Sequence, residues 1–227
     1  MSWCPWGLSY MKLPKVYKYF LPILLLLSFA LLSKFEDRQS IRSFDFAATV
    51  KVQDRIDKSA HLRLAALVDN TMEGATFFAE PVFTSIVVVV LTIIAFRKRR
   101  WRAGVIPIAF VLILLAELLG KSMIHHPSPP FSMVKHPTTI FPASYINEQF
   151  SYPSGHAARA VFIAVVAWFL FHKKRWLGIL LAAYVILVAV GKMYLGQHWF
   201  SDVAGGSLLG CSFALFVVQS LHENTGA

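Results

Sequence analysis

The sequence predicts an all-α membrane protein: six transmembrane helices, with an outward-facing interfacial helix between spans one and two. Three observations carry that prediction. Of 227 residues, 56% are hydrophobic and only 15% charged, too little polar surface to keep a soluble domain of this length dispersed. The apolar residues are gathered into blocks of near-spanning length, not spread with an amphipathic period. Most basic residues outside segment 34–80 cluster at the ends of those blocks, the pattern of cytoplasmic loops. The chain reads as a single domain, 1–227, with a tail at 1–16 and a core at 82–221.

The blocks lie at about 17–33, 82–96, 104–120, 155–171, 177–195 and 202–221, each near the roughly 20 residues that a helix needs to cross a bilayer. The first follows basic residues as a signal peptide would. No small-x-small cleavage site follows Leu32, so it reads as an anchor. The second is short and is expected to begin a turn earlier, around Thr76 to Phe78.

Charge sets the orientation. Lys12, Lys15 and Lys18 precede the first block. Arg97, Lys98, Arg99, Arg100 and Arg102 lie between the second and third, and Lys173, Lys174 and Arg175 between the fourth and fifth. No Asp or Glu interrupts them, so these connections and both termini are assigned to the cytoplasm. Connections 34–80, 121–154 and 196–201 then face outward. The net charge of +10 is accounted for by a basic membrane face suited to anionic headgroups, and no nucleic-acid partner is expected. Segment 34–80 carries seven basic and eight acidic residues and so shows no cytoplasmic bias. From Phe44 to Leu67 it has helix-forming character, with Val52, Ile56, Leu64 and Leu67 set among charges. It reads either as an interfacial helix on the outer surface or as a solvated linker. Cys4 and Cys211 build neither a disulfide framework nor a metal site.

Ionisable residues in or beside spans are costly and point to function. Here they are Glu117, Lys121, His156, Arg159, Lys192, His198 and Asp202, gathered toward the outward ends of spans three to six. Glu117 is four residues before Lys121, on one helical face, where an ion pair orients the lysine. Tyr152-Pro153-Ser154-Gly155-His156 has the form of a helix start. The Ser154 hydroxyl, the small Gly155 and unsatisfied amides sit at the positive end of a helix dipole, either as an anion site or as a plain cap. His198 and Asp202 stand four apart. The carboxylate can hold one ring nitrogen and raise the nucleophilicity of the other, or the pair can be a structural bond at a helix start.

Together these blocks resemble the type 2 phosphatidic acid phosphatase family of integral membrane lipid phosphatases. The first resembles K-x6-R-P, here Lys121 followed by Ser128-Pro129. The second is P-S-G-H, here Pro153-Ser154-Gly155-His156 unchanged. The third resembles S-R-x5-H-x3-D, here Gly191-Lys192, His198 and Asp202. The likeness runs from about Asp54 to the C-terminus. Two arginines of the pattern are missing, replaced by Ser128 and Lys192. A lysine keeps the charge but loses the planar fork that matches phosphate oxygens. Arg159, three residues beyond His156, reads either as a compensating pocket residue or as a snorkelling interfacial arginine. His126, two residues before Ser128, is a further candidate donor to phosphate. His125, His126 and His136 lack a carboxylate or cysteine at ligand spacing, and no metal site is expected from them.

The resemblance implies metal-free and cofactor-free hydrolysis of a membrane lipid phosphate. Lys121, Lys192, Ser154 and the amides around Gly155 hold the phosphate, with Arg159, His126 and Ser128 as further contacts. His198, oriented by Asp202, attacks phosphorus to form a phosphohistidine, and His156 serves as acid and then base. The implied substrates are undecaprenyl diphosphate, phosphatidylglycerophosphate or phosphatidic acid, presented at the outer face of a bacterial inner membrane. Two other readings use the same fold: a non-catalytic lipid-binding homologue, suggested by the missing arginines, and phosphotransfer from lipid to another acceptor. The sequence leaves the oligomeric state open.

Overall fold

The apolar blocks fold as helices because backbone polar groups removed from water must be satisfied within the segment. A computed structural model describes residues 18–59, 62–98, 101–135, 149–171 and 174–222. Among them the order is α1 (Phe20–Phe35), α2 (Gln39–Ser59), α3 (Leu62–Phe77), α4 (Pro81–Arg97), α5 (Val105–Met123), α6 (Gly155–Leu170), α7 (Arg175–Tyr194) and α8 (Phe200–His222). Short 3-10 turns cover Trp101–Gly104 and Phe131–Met133, and an isolated bridge pairs Pro127 with Phe150. The architecture is all-helical. His136 and the charged residues Lys12, Lys15, Arg99, Arg100 and Lys173 lie outside the described residues.

α6 is the central element and is buried on nearly every side, from Gly155 through Phe162 and Val166 to Leu170. A helix apolar all round belongs in such a position. It packs most closely on α8, where Gly206 and Gly210 bring the backbones together; a side chain at either would strike the carbonyl of Ser154 or Ala158. Val88 and Leu91 of α4, Ile106 and Ile113 of α5, and Leu209 and Val217 of α8 complete the core. The outward faces of α1, α4, α5 and α7 expose Leu27, Ile86, Leu118 and Ile179, an apolar perimeter such as lipid covers.

Length and composition qualify three helices to cross a membrane: Arg102–Met123, Arg175–Tyr194 and Phe200–His222. A fourth qualifies if Ala66–Phe77 and Pro81–Arg97, bent by 58°, count as one span. α1 and α6 are apolar but shorter. The second block departs from expectation. It does not begin around Thr76 to Phe78 but breaks there. Glu80 is extended (φ −62°, ψ 151°), as a residue before proline prefers, and Pro81 opens the new helix where its missing N–H costs nothing. The helical stretch expected from Phe44 to Leu67 is likewise two helices, α2 and α3.

α2 and α3 lie across the end of the bundle where α7 stops and α8 starts. Gln53 of α2 donates to the carbonyls of Met133 (2.8 Å) and Tyr194 (3.0 Å), and the Tyr194 hydroxyl donates to Asp69 of α3 (2.7 Å). Asp57 pairs with Lys135 (2.6 Å). These contacts seal the loops around the polar end of the core.

Candidate active site

The turn between α7 and α8 builds the first half of the site. Gly196 adopts φ +67°, which L side chains rarely tolerate, and a Cβ there would meet the Met133 carbonyl. The reversal lets the amides of Gln197 and His198 donate to the Lys192 carbonyl (3.0 and 3.2 Å). His198 therefore sits just before α8, not within it. Asp202, in the first turn of α8, accepts from the Trp199 amide at Oδ2 (2.9 Å), the acidic half of a capping box. The same Oδ2 lies 3.3 Å from His198 Nδ1. A carboxylate only accepts, so Nδ1 carries the proton and Nε2 keeps its lone pair.

The start of α6 builds the second half. Ser154 is fully buried, and its amide donates to the Asp202 carbonyl (2.9 Å), tying the two halves together. Its Oγ does not cap the helix and has no hydrogen-bond partner among the described residues. It stands beside the unsatisfied amides of the first turn of α6. His156 Nε2 lies 3.0 Å from Glu80 Oε1, across the break between α3 and α4. That contact places the proton on Nε2 and leaves the lone pair on Nδ1. The rings of His156 and His198 are 6.3 Å apart, centre to centre, inclined at 58°.

Cationic side chains stand near His156. Lys192, Arg159 and Lys121 bear electrostatically on it, and Arg159 and Lys121 bear on Glu117. Lys192, only 5% exposed, donates to Gln197 Oε1 (2.7 Å). Lys121 donates to Glu117 Oε1 (3.1 Å), the i, i+4 pair that the spacing suggests. Arg159 is 1% exposed, which is not the setting of a snorkelling side chain. Its Nε donates to the Ala79 carbonyl (3.0 Å) and its Nη1 pairs with Glu117 Oε2. The Glu117 carboxylate packs where a Gly155 Cβ would sit, so the small residue of Pro153-Ser154-Gly155-His156 makes room for it.

His126 and Glu80 came out differently from the sequence reading. Both ring nitrogens of His126 face carboxylates, Glu36 on one side and Asp45 and Asp202 on the other, which is not the setting of a phosphate donor. Ser128 lies in the short bridge beside Pro127, its amide donating to the Gln149 carbonyl (3.3 Å). Glu80 was missed, although it is an ionisable residue at the edge of an apolar block and the same rule reaches it. Among the described residues no His, Cys, Asp or Glu group has the geometry to hold a metal.

A family model described as the PAP2 superfamily matches residues 105–226, a stretch that contains Lys121, Pro153 to His156, and Lys192 to Asp202. The chain belongs to the PAP2 superfamily. It is similar to phosphatidylglycerophosphatase B of Bacillus subtilis, 26% identical over 212 residues that cover 89% of this chain and 95% of that protein. It is also similar to the undecaprenyl-diphosphatase of Sulfolobus acidocaldarius, 33% identical over 133 residues, or 57% and 59% of the two chains. In fold it resembles the crystal structure of a transmembrane PAP2 type phosphatidylglycerolphosphate phosphatase from Bacillus subtilis, with a TM-score of 0.69 and 24% identity over 90% of this chain and 97% of that one.

Proposed function

We propose that this lipid phosphatase hydrolyses a lipid phosphate or diphosphate through a phosphohistidine on His198, at the outer face of a bacterial inner membrane and without a metal or cofactor. The observation that carries the reading is the pair of opposed histidines, each with its own carboxylate, 6.3 Å apart within a set of cationic side chains. In the first step His198 Nε2 attacks phosphorus. The bond to the lipid oxygen (or to the bridging oxygen of a diphosphate) breaks, and His156, entering the step as the imidazolium with Nε2–H on Glu80, gives its Nδ1 proton to that oxygen. In the second, water attacks phosphorus, His156 takes its proton, and the N–P bond breaks to release phosphate. Lys121, Lys192, Arg159, the Ser154 hydroxyl and the first amides of α6 offset the negative charge spread over the phosphoryl oxygens. The two lysines supply charge without a planar fork, and Arg159 supplies the fork from a different helix.

The topology belongs to the same proposal. α1 and α4 to α8 cross the bilayer as six spans of one domain, the termini are cytoplasmic, and α2 with α3 rides on the outer interface above the site. Basic clusters at the far end of the bundle support that orientation. Among substrates, undecaprenyl diphosphate is preferred, with phosphatidylglycerophosphate and phosphatidic acid in the same class; the activities for which the two relatives are named support the first two. The test is phosphate release from each lipid by purified protein in detergent, with chelator present. His198→Ala is expected to abolish release from every lipid while the protein stays folded. Undiminished release by that variant ends the assignment of His198.

A further inference from the structure

Behind Asp202, on the side away from His198, lies a cluster that the reaction as written does not use. Glu36 follows the end of α1, Asp45 is on α2, His126 is in the loop after α5, and Ser201 and Asp202 begin α8. Glu36, Asp45, His126 and Asp202 are 4%, 1%, 1% and 0% exposed. His126 Nδ1 is 2.9 Å from Glu36 Oε2, and its Nε2 is 3.6 Å from both Asp45 Oδ2 and Asp202 Oδ1. Asp45 accepts from the Ser201 amide (2.8 Å) and the Ser201 hydroxyl (2.6 Å).

Three carboxylates and an imidazole are expensive to bury, and apolar side chains of the same volume would hold four elements together at least as well. What apolar packing cannot do is orient a carboxylate. Asp202 Oδ2 is engaged by His198 and by the Trp199 amide, whereas Oδ1 makes no hydrogen bond among the described residues and lies 3.6 Å from His126 Nε2. Removal of that edge frees the carboxylate to turn about its own axis and to lose the line to His198 Nδ1. Asp45 acts one residue earlier. By holding both donors of Ser201 it fixes the backbone from which Asp202 projects.

We propose that Asp45, His126 and Glu36 are positioning residues for the nucleophile: a buried network that holds Asp202, and through it His198, in the attacking geometry. The proposal rests on the reading of His198 as nucleophile. It also gives α2 a part in the reaction, since a helix outside the apolar core supplies Asp45. Burial pushes the carboxyls of Glu36 and Asp45 above their ordinary values, against the pull of His126 on the first and of the Ser201 donors on the second. That favours protons shared within the cluster. The other titratable or charged groups bearing on it are Arg42 beside Glu36, Tyr152, whose ring stands edge-on to His126, and His198 beyond Asp202.

The test uses the purified full chain in detergent, with phosphate release from phosphatidic acid micelles in chelator. His126→Gln and Asp45→Asn are expected to lower kcat about 10- to 100-fold with KM within about twofold, by analogy with the partners that orient a metal-bound histidine. Both are expected to displace the pH profile of kcat. In an Asp202→Asn background, His126→Gln should add less than about twofold, because both changes act through one carboxylate. Should either variant fail to fold, Glu36→Gln, which leaves His126, Asp45 and Asp202 in place, is expected to lower kcat by about 3- to 10-fold, toward or below the bottom of that range. Wild-type kcat and pH profile in folded His126→Gln or Asp45→Asn overturns the network, as do losses that simply multiply with Asp202→Asn. An inactive His198→Ala beside fully active network variants overturns the network alone. An active His198→Ala overturns the nucleophile and the network together.

Discussion

The two histidines of the site are held in different ways. His198 stands against a many-sided background: a turn fixed by Gly196, a capping carboxylate shared with a backbone amide, and behind it buried polar residues from the end of α1, from α2 and from the loop after α5. His156 has one side-chain hydrogen-bond partner among the described residues, Glu80, placed at the break between two helices bent by 58°. The roles proposed for the two rings account for the contrast. A nucleophile has one geometry to keep, and an error of an ångström in it is expensive. An acid–base group must give a proton and take it back, and a carboxylate at a bend can follow it between the two states. The lesson is that the depth of support behind a side chain reflects what it does, beyond the identity of its immediate partner.

That contrast can be broken in order of expected effect. His198→Ala should lose at least about 10⁴-fold in kcat, as removal of a nucleophile does elsewhere. His156→Ala should lose about 10²- to 10⁴-fold, the range of a positioned acid–base group, with a loss smaller for substrates whose leaving group needs no proton. Glu80→Gln should cost about 10- to 100-fold and should move the pH profile, since its carboxylate sets the ring's proton. If Glu80→Gln leaves kcat and pH dependence untouched, the part given to Glu80 in holding His156 is wrong.

Stability separates the two regions further. Arg159→Met strips the buried Glu117 of one of its two cations and is expected to cost about 3 kcal/mol or more, read as a fall in the thermal midpoint in detergent. Asp45→Asn gives the smallest effect, and its sign depends on pH. Burial raises the Asp45 carboxyl above its ordinary 3.8, so the folded state binds more protons than the unfolded one as pH climbs from there. The contribution of the charged carboxylate to stability therefore falls with rising pH. The thermal midpoint of Asp45→Asn relative to wild type should rise from acid to neutral pH, and a difference that is flat or falls contradicts the placement of that charge.

Most of the helical layout and half of the site were legible in the sequence, for one reason. In an apolar block a charge stands out, so Glu117, Arg159, Lys192 and Asp202 announce themselves. Pro153 to His156 carries its own local signal of a helix start, and His198–Asp202 the spacing of one helical turn. Glu36 and Asp45 could not be picked out. They lie in a segment with seven basic and eight acidic residues, where charge is the background and only burial distinguishes these two. His126 was noticed for its position near Ser128 but given the wrong neighbours, because the bridge from Pro127 to Phe150 that turns it toward Asp202 is a tertiary contact with no local pattern. The break at Glu80-Pro81 was within reach of sequence reasoning. A proline at the edge of a block is a stop signal as much as a start.

Rapid quenching of a His156 variant supplied with phosphatidic acid labelled in its phosphate tests the central claim most directly. With the second step slowed, a phosphoryl group should accumulate in acid-labile, base-stable linkage, and peptide mapping should place it on His198. Label on another side chain, or turnover with no covalent phosphate at any quench time, would contradict the account.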